Sequence, residues 1–331
     1  MKSLFLVESP LQYINALEAR QFYKLKAEES VVVLFEGISI ISFKQILNIS
    51  KQDHWGKVII IRKNQHIILR YWSLFLCMRI LRKFQAFEWI LIGEYRSDIM
   101  RHIIHKFNPK RKILLDDGNV TPLIYQKNQR RELIDLTKKR RFLNQFFWLN
   151  DNEIFDIEYF SCFPLGEMKP KNTYEVLKIR LGSKEQRDEV FFLGNNVAEL
   201  DIMGEEKYLS ALEKVVSFYK GKKVIYFPHR RENDMKLKKI ENNYPVEVRR
   251  VSAPFEVTLV DSEMLPLEIC SFISSALETS ARILEGKAQI TAFKLPVNSY
   301  IESYKNSYLT TFANYEEYSN DDLRVILLDN N

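Results

Sequence analysis

The chain has 331 residues, more than one ordinary domain needs, so two domains are expected. Hydrophobic residues make up 46% and charged residues 28%, with only 10 Gly and 10 Pro, which excludes a disordered, collagenous or low-complexity protein. The net charge of +6 favours anionic partners but suits sugar nucleotides, phospholipid surfaces, acidic glycans and nucleic acid equally well.

The first half of the chain alternates short apolar runs with helix-length segments. The predicted strands are 3–7, 30–35, 57–61, 88–92 and 112–115. The predicted helices are 11–23, 43–49, 67–84 and 97–107. This alternation predicts a parallel sheet covered on both faces, with its binding edge at the carboxyl ends of the strands.

The pattern stops at a stretch containing Pro and Lys, 164–183, and then restarts. The second half has predicted strands at 189–193, 223–227 and 288–293 and a predicted helix at 205–219. We therefore predict an α/β protein of GT-B type, with two Rossmann-like lobes, parallel sheets and an interlobe cleft in which substrates meet. The predicted domains are 1–165 and 185–310. The terminal segment, 311–331, is expected to hold a helix at 319–328 that packs on one lobe.

Cysteine usage and hydropathy indicate the compartment. The cysteines are Cys77, Cys162 and Cys270. Their number is odd and their spacing fits no metal site, so we expect neither a disulfide framework nor bound zinc, and a reducing cytoplasm fits best. The apolar run at 4–7 is interrupted by Glu8, and the most apolar stretch, 71–78, is far shorter than the ~20 residues that a bilayer requires. We predict a cytoplasmic protein, with peripheral contact at the inner membrane left open.

The first candidate motif follows the predicted strand at 112–115. Asp116, Asp117, Gly118 and Asn119 would form a turn at the carboxyl edge of the sheet. Two adjacent carboxylates repel each other, which raises one pKa towards a value useful for a general base. The alternative is an ordinary turn, because Asp, Gly and Asn are common turn residues.

The second candidate motif follows the predicted strand at 223–227. Pro228, His229 and Arg230 would place a titratable imidazole beside fixed positive charge at the edge of the second sheet. Such an arrangement favours phosphate. The alternative is a solvated loop with a surface histidine.

The third candidate motif is a serine pair, Ser274 and Ser275, before a helical pattern. Ser275 and Glu278 have the spacing of a capping box. The same amides and hydroxyls could receive a phosphate, so the structural and the ligand-binding interpretations are compatible. Two lesser signals lie at the same predicted edges, namely Gly194 with Asn195, and Ser9, Pro10 and Gln12.

Together these motifs resemble those of bacterial sialyltransferases, most closely the family 52 glycosyltransferases of surface-glycan synthesis. That family has an acidic D/E-D/E-G motif, a histidine-proline motif and a serine pair in the same chain order. The matching segments here are 116–118, 228–229 and 274–275, and the early Ser9–Gln12 segment and the turn at Gly194 are also similar. One departure is Arg230, which stands where the family has the proline after histidine.

The resemblance implies a metal-independent, inverting enzyme that needs no cofactor. It would move a nonulosonic acid, typically sialic acid, from its CMP-activated form to a hydroxyl of a surface glycan such as capsule or lipooligosaccharide. Domain 1–165 would carry the base and the acceptor surface, and domain 185–310 would bind the CMP-activated donor. No nucleic-acid partner is expected.

The resemblance also implies roles for individual residues. Asp116 would be the base and Asp117 its orienting partner, or the reverse, while His229 would donate to the departing phosphate. The implied donor-binding residues are Gly194, Asn195, Pro228, Arg230, Ser274 and Ser275. The implied acceptor-side residues are Ser9, Pro10, Gln12, Gly118 and Asn119.

Three other functions remain open on the sequence alone. A GT-B glycosyltransferase could use a UDP- or GDP-sugar. The two adjacent aspartates could instead hold magnesium or manganese, since carboxylates suit both ions. A non-catalytic protein could serve as a glycan- or membrane-binding subunit of a capsule assembly complex.

A basic segment with many aromatic residues, 127–148, is the last notable feature. Its cations are followed by Phe142, Phe146, Phe147 and Trp148. We expect a helix with a solvated basic face and a buried aromatic face, the usual arrangement for such a pattern. Binding of an acidic glycan or an anionic membrane, or a homodimer contact through the aromatic residues, are the alternatives.

Overall fold

A computed structural model of the chain describes residues 2–37, 40–62, 67–84, 86–118, 120–134, 138–317 and 323–328. The chain forms two compact units, Met1–Val176 and Leu177–Asn331. The boundary between them falls in the interval 166–184, which the sequence analysis leaves between its two predicted domains.

The first unit is built around a parallel sheet. In the described part of the unit the sheet has six strands, in the order β3-β2-β1-β4-β5-β6. Its strands are β1 (Ser3–Val7), β2 (Ser30–Phe35), β3 (Lys57–Ile61), β4 (Trp89–Ile92), β5 (Arg111–Leu115) and β6 (Glu158–Phe160). Its helices are α1 (Pro10–Phe22), α2 (Ile40–Ser50), α3 (Ile67–Arg82), α4 (Asp98–Phe107), α5 (Val120–Gln129) and α6 (Lys138–Phe146), and α7 (Glu175–Leu181) crosses the unit boundary.

The second unit repeats this plan. Its described strands form a parallel sheet in the order β12-β11-β10-β7-β8-β9. The strands are β7 (Gln186–Leu193), β8 (Lys223–Phe227), β9 (Val246–Val248), β10 (Leu265–Ser271), β11 (Gln289–Lys294) and β12 (Leu323–Leu327). The helices are α8 (Glu205–Phe218), α9 (Asp234–Asn243), α10 (Phe255–Asp261), α11 (Ser275–Leu284) and α12 (Glu302–Glu317).

The two sheets confirm the predicted fold class, a pair of Rossmann-like α/β units. Central strands β1 and β2 are buried along their whole length, as expected for apolar runs covered by helices on both faces. In each unit the first three strands are added in order towards one edge of the sheet, and the fourth strand pairs with the free side of the first. The direction of strand order therefore reverses between β1 and β4 and between β7 and β10, and each reversal is a topological switch point. Ligands bind outside the carboxyl ends of the strands at such points.

The end of the chain differs from the prediction. Residues 323–327 form strand β12, whereas the sequence pattern predicts a helix over 319–328. The β-branched Val325 and Ile326 pair with β11, so this segment completes the sheet. The final helix lies earlier, as α12, and residues 319–322 are outside the described ranges.

Strand β10 was missed because a carboxylate interrupts its apolar run. Glu268 is buried, and its Oε1 accepts hydrogen bonds from the hydroxyl groups of Tyr219 and Thr291. Nη2 of Arg324 on β12 lies 2.7 Å from the same oxygen. The carboxylate is therefore compensated by groups from three other elements, none of which is adjacent in sequence.

The basic segment with aromatic residues also differs from its expected arrangement. It is divided between the end of α5 and α6, with residues 135–137 outside the described ranges. The prediction of a buried aromatic face was wrong, because Phe142 is 65% exposed, Phe146 68% and Trp148 89%.

We predict that Glu268→Ala destabilises the second unit by about 2–4 kcal/mol, because it leaves two buried hydroxyls without an acceptor and Arg324 without its counter-ion. Differential scanning calorimetry of the full chain measures this change. The matched control is Glu263→Ala, at an exposed carboxylate on the loop before β10, which should change stability by less than about 0.5 kcal/mol. Equal effects of the two substitutions would contradict the assigned role of Glu268.

Candidate active site

Two polar clusters lie at the carboxyl edges of the sheets, one in each unit. The first begins where β5 ends, at Asp116 and Asp117. Asp116 is fully buried, and its Oδ2 accepts hydrogen bonds from Ser161 Oγ at 3.0 Å and from the Cys162 amide at 2.9 Å. Its carbonyl accepts from Asn15 Nδ2 at 2.9 Å. Burial raises the pKa of Asp116, and these contacts tie β5 to the chain after β6.

Asp117 is only half-buried and faces a different environment. Its Oδ1 accepts a hydrogen bond from Gln12 Nε2 at 3.1 Å, and its amide donates to Thr121 Oγ1 at 2.8 Å. Burial and the nearby Glu94 raise the pKa of Asp117 to about 7, against the opposing effects of Gln12 and Arg96. Near neutral pH this carboxyl group is therefore divided between its acid and base forms, as a general base requires.

The residues that hold Gln12 come from the beginning of α1. Ser9 is the N-cap of this helix, and its Oγ accepts from the Gln12 amide at 3.2 Å, while Pro10 occupies the first turn, where a missing N–H costs nothing. Gln12 is 1% exposed, and its Oε1 accepts from the Glu8 amide at 2.9 Å. A Cβ at Gly93, directly after β4, would overlap the Gln12 side chain. The glycine thus lets this amide reach Asp117 across the switch point.

Glu94 and Arg96 complete the cluster and were missed by the sequence analysis. Arg96 binds Glu94 through two hydrogen bonds, Nη2 to Oε2 at 2.6 Å and Nε to Oε1 at 2.8 Å. The signal for them was present, since both follow a predicted strand at the same sheet edge as Asp117.

Two predicted residues adjoin Asp117 in sequence. Gly118 has a φ of +65°, a left-handed conformation that favours glycine and turns the chain into α5. Asn119 lies outside the described residues.

In the second unit, His229 follows β8 through Pro228. The Nδ1 of His229 accepts a hydrogen bond from the Arg231 amide at 3.2 Å, which leaves the neutral ring with its proton on Nε2. Burial, together with the positive charges of Arg230 and Arg231, lowers the pKa of His229 to about 4. At neutral pH the imidazole is uncharged and can donate one hydrogen bond through Nε2.

A buried ion pair holds this loop in place. Glu232 Oε2 accepts from the His229 amide at 2.6 Å, and Glu232 Oε1 lies 2.8 Å from Lys236 Nζ. Both charged side chains are completely buried. Lys236 also donates to the Asn195 carbonyl at 3.2 Å and pairs with Glu199 at 3.1 Å, so that one cation joins the ends of β7 and β8.

This pair is a second feature that sequence reasoning missed. Its signal was the i, i+4 spacing of opposite charges, which is usually a feature of exposed helix surfaces. At Gly194 an added Cβ would overlap Glu232 and the Tyr226 hydroxyl. Only glycine therefore fits at the end of β7.

Asn195, directly after Gly194, has a buried side chain whose hydrogen-bonding groups are unpaired in the described ranges. It is 7% exposed, and among the described residues neither its Nδ2 nor its Oδ1 has a hydrogen-bond partner. Burying such groups unpaired costs about 1–3 kcal/mol each, which is tolerated mainly at sites that bind a ligand or water. Asn195 lies beside the switch point of the second unit, where a ligand is expected.

The serine pair lies on the other side of that switch point. Ser274 is the N-cap of α11, and its Oγ accepts from the Ala276 amide at 3.2 Å, so the cap is one residue earlier than the predicted Ser275–Glu278 capping box. Tyr315 fixes the turn, because its hydroxyl donates to the Ser274 carbonyl and accepts from the Ser274 amide. Ser275 is the first helical residue, and within this first turn the Leu277 amide donates to the Ser274 carbonyl at 3.1 Å.

The second unit also has a groove of about 480 Å³ away from these residues. It lies between α8 and the chain after β11, and includes Lys207, Lys214 and Asn298. Within the described ranges, no three His, Cys, Asp or Glu side chains are grouped closely enough to hold a metal ion.

Comparisons with known proteins identify the architecture. No protein-family model and no curated protein matches the chain. Among solved structures, the UDP-GlcNAc 2-epimerase of Methanocaldococcus jannaschii, in complex with UDP-GlcNAc and UDP, matches with a TM-score of 0.54 and 10% identity, over 98% of this chain and 89% of that one. The UDP-N-acetylglucosamine 2-epimerase of Rickettsia bellii matches with a TM-score of 0.51 and 13% identity, over 92% and 81%. The fold is of the GT-B type.

The structure therefore brings the predicted site residues together in two groups. Gln12 and Asp117 lie at the edge of the first sheet, joined by Glu94 and Arg96. In the second unit, the groups at the ends of three adjacent strands are Asn195, His229 and Ser274. Arg230 is exposed beside His229 and lowers its pKa.

We predict that Asp117→Asn stabilises the protein at pH 8 by about 1–3 kcal/mol and has little effect at pH 4. A carboxyl group whose folded pKa is raised contributes stability that is present below its unfolded pKa near 3.8 and is lost as pH rises through about 7. Asparagine cannot ionise, so the variant does not lose this stability as the pH rises. Thermal unfolding at both pH values tests this, with Asp188→Asn, at an exposed residue, as the control. A stabilisation that is the same at both pH values would contradict the raised pKa.

Proposed function

We propose that the protein is an inverting glycosyltransferase, which moves a sugar from a nucleotide-activated donor to a hydroxyl group of a glycan. The observation that carries this proposal is the half-buried Asp117 at the carboxyl edge of the first sheet, where Gln12 binds it and its pKa is raised to about 7. The fold similarity to UDP-sugar enzymes and the order of the acidic, histidine and serine motifs support it.

Asp117 is the better candidate for the base of the two aspartates. Asp116 is fully enclosed, and one of its oxygens already accepts two hydrogen bonds that join neighbouring strands. Asp117 is held through one oxygen by Gln12 and remains partly accessible. In the proposed reaction, Asp117 takes the proton of the acceptor hydroxyl while that oxygen bonds to the anomeric carbon.

The second unit would receive the departing nucleotide. As the bond from the anomeric carbon to the phosphate oxygen breaks, the electron pair stays on that oxygen. The Nε2–H of His229 would donate to the phosphate, together with the Ser275 amide at the start of α11. Asn195, whose side-chain amide is buried without a partner among the described residues, would turn towards the sugar or the base when the donor binds.

Two donor classes are supported by different observations. The fold of UDP-sugar enzymes, one of them in complex with UDP-GlcNAc and UDP, favours a UDP-sugar. The resemblance of the motifs to family 52 favours CMP-activated sialic acid or a related nonulosonic acid. Incubation with each donor, with and without a glycan acceptor, separates the classes when products are analysed by mass spectrometry. Conversion of UDP-GlcNAc to its 2-epimer or to free sugar, with no transfer to any acceptor, would contradict the proposed transfer and indicate epimerase chemistry instead.

We predict that Asp117→Ala lowers the transfer rate by about 10²–10⁴-fold, because the acceptor hydroxyl loses its base. In the unaltered protein kcat/KM should rise with pH and level off above about 7. Glu94→Gln removes a negative charge that raises the pKa of Asp117, so it should retain activity and shift this profile to lower pH. Arg96→Gln should shift it to higher pH. Profiles that remain unchanged in both variants would show that Asp117 is not the titrating base.

We predict that His229→Ala and Asn195→Ala weaken nucleotide binding by about tenfold or more, since each removes a hydrogen bond in a partly enclosed site. Titration calorimetry with UDP and CMP measures the affinity. The control is His105→Ala, in the first unit, which should leave nucleotide affinity unchanged. The same titrations with excess chelator test metal independence. Unaltered affinity in both site variants would place the donor elsewhere, and the groove beside α8 would then be the next region to examine.

A further inference from the structure

Helix α3 is apolar on two opposite faces. Its inner face is buried through Leu74, Met78 and Leu81, so this face already packs on the first unit. The outward side chains at i, i+3 and i+4 are also large and apolar, with Trp72 58% exposed and Phe75 52% exposed. Helices that are apolar all round are normally buried, so the outer face lacks the cover that its composition requires.

The end of α6 carries a second group of exposed aromatic side chains. Phe142 and Phe146, one helical turn apart, and Trp148, just beyond the helix, are each more than half exposed. Trp148 has a φ of +52°, the left-handed conformation that normally favours glycine after a helix end. A tryptophan at this position is held in strained backbone and points to a use outside the packing of the unit itself.

The two groups lie on adjoining helices. The rings of Tyr71 and Phe147 stack with centroids 4.0 Å apart, and the Tyr71 hydroxyl donates to Asn144 Oδ1 at 2.9 Å. Asn144 in turn donates to Asp98 and Asp151. We call the exposed apolar side chains on α3, on α6 and just after α6 the aromatic face; its members are Trp72, Phe75, Leu76, Phe142, Phe146 and Trp148.

The two segments that carry the aromatic face contain basic residues and no acidic ones. Arg79 on α3 and Arg141 on α6 are exposed, and the sequence contains no Asp or Glu in 67–84 or in 138–149. Basic residues beside Trp and Phe are typical of helices that lie in the interface of an anionic bilayer. No described helix is long and apolar enough to cross a membrane, so this surface would lie on the bilayer.

We propose that the aromatic face docks the first unit on an anionic lipid bilayer. Charge complementarity favours lipid over a second copy of the chain, because a symmetric dimer through this face would bring its own cations together. The aromatic rings would enter the interface, and Arg79 and Arg141 would contact the anionic headgroups. This proposal does not depend on the glycosyltransferase assignment.

Co-sedimentation with vesicles tests the docking directly. The full chain should bind vesicles of phosphatidylcholine with about one third phosphatidylglycerol at least tenfold more tightly than pure phosphatidylcholine, and binding should weaken as salt is raised. Phe146→Ser with Trp148→Ser should lower binding at least tenfold, since both rings lose their insertion. Arg79→Glu with Arg141→Glu should do the same.

Two matched controls separate docking from general surface effects. Ile179→Ser with Met235→Ser removes exposed apolar side chains of the second unit, and Lys220→Glu with Lys238→Glu reverses exposed charges there. Both should bind anionic vesicles like the unaltered protein. Melting temperatures of all variants establish that they are folded.

Tryptophan fluorescence gives an independent readout. Emission should shift to the blue on addition of anionic vesicles, and Trp72→Phe with Trp148→Phe should abolish the shift, because the remaining Trp55 and Trp89 are not on the aromatic face. Binding that is equal for neutral and anionic vesicles, or equal in the aromatic and control variants, would overturn the proposal. So would a lipid-independent dimer that Phe146→Ser with Trp148→Ser converts to monomer.

Discussion

The strand order of the two sheets is the constraint on which the candidate site depends. In each unit the chain leaves the first strand on one side and later returns on its other side, so the loops after the two neighbouring strands diverge. Polar groups at that point are neither covered by a crossover helix nor fully solvated. Gln12 follows β1 at this point in the first unit and binds Asp117 at the end of β5, the strand next to β4, while Asn195 and Ser274 follow the two strands at the switch point of the second unit. The same topology thus creates a partly dry, polar edge twice in one chain.

At both edges burial favours the uncharged form of the central side chain, which raises the pKa of an acid and lowers that of a base. In the first unit, partial burial near Glu94 keeps Asp117 close to half-protonated at neutral pH, and the nearby Arg96 limits the shift. In the second unit, burial near two arginines keeps His229 neutral, and a backbone amide fixes which nitrogen carries the proton. A base that accepts a proton and a neutral donor that binds an anion are complementary parts of glycosyl transfer. Neither property belongs to the isolated amino acid, because both arise from burial first and from the surrounding charges second.

The local part of this arrangement was accessible from sequence. Apolar runs ending in Asp116-Asp117-Gly118 or in Pro228-His229 identify strand ends, and strand ends in a parallel sheet share an edge. The partners were not accessible in the same way. Glu232 and Lys236 have the spacing of an ordinary surface pair, and only the tertiary structure shows them completely buried beneath the histidine loop. Strand β10 was likewise hidden, because its Glu268 is compensated by side chains distant in sequence.

The aromatic segment shows where patterning alone fails to predict burial. A helical pattern of basic and aromatic residues predicts a buried aromatic side only if another part of the same chain packs against that side. In the first unit that cover is absent over the described part of α3 and α6, and the exposed rings are fixed by a stack and a buried hydrogen-bond network. Exposing large apolar side chains to water is unfavourable in free energy, and burying them against another surface would remove that cost. The pattern and the structure agree if the cover is a surface outside the chain, and the absence of acidic residues from 67–84 and 138–149 suits the anionic bilayer that we propose.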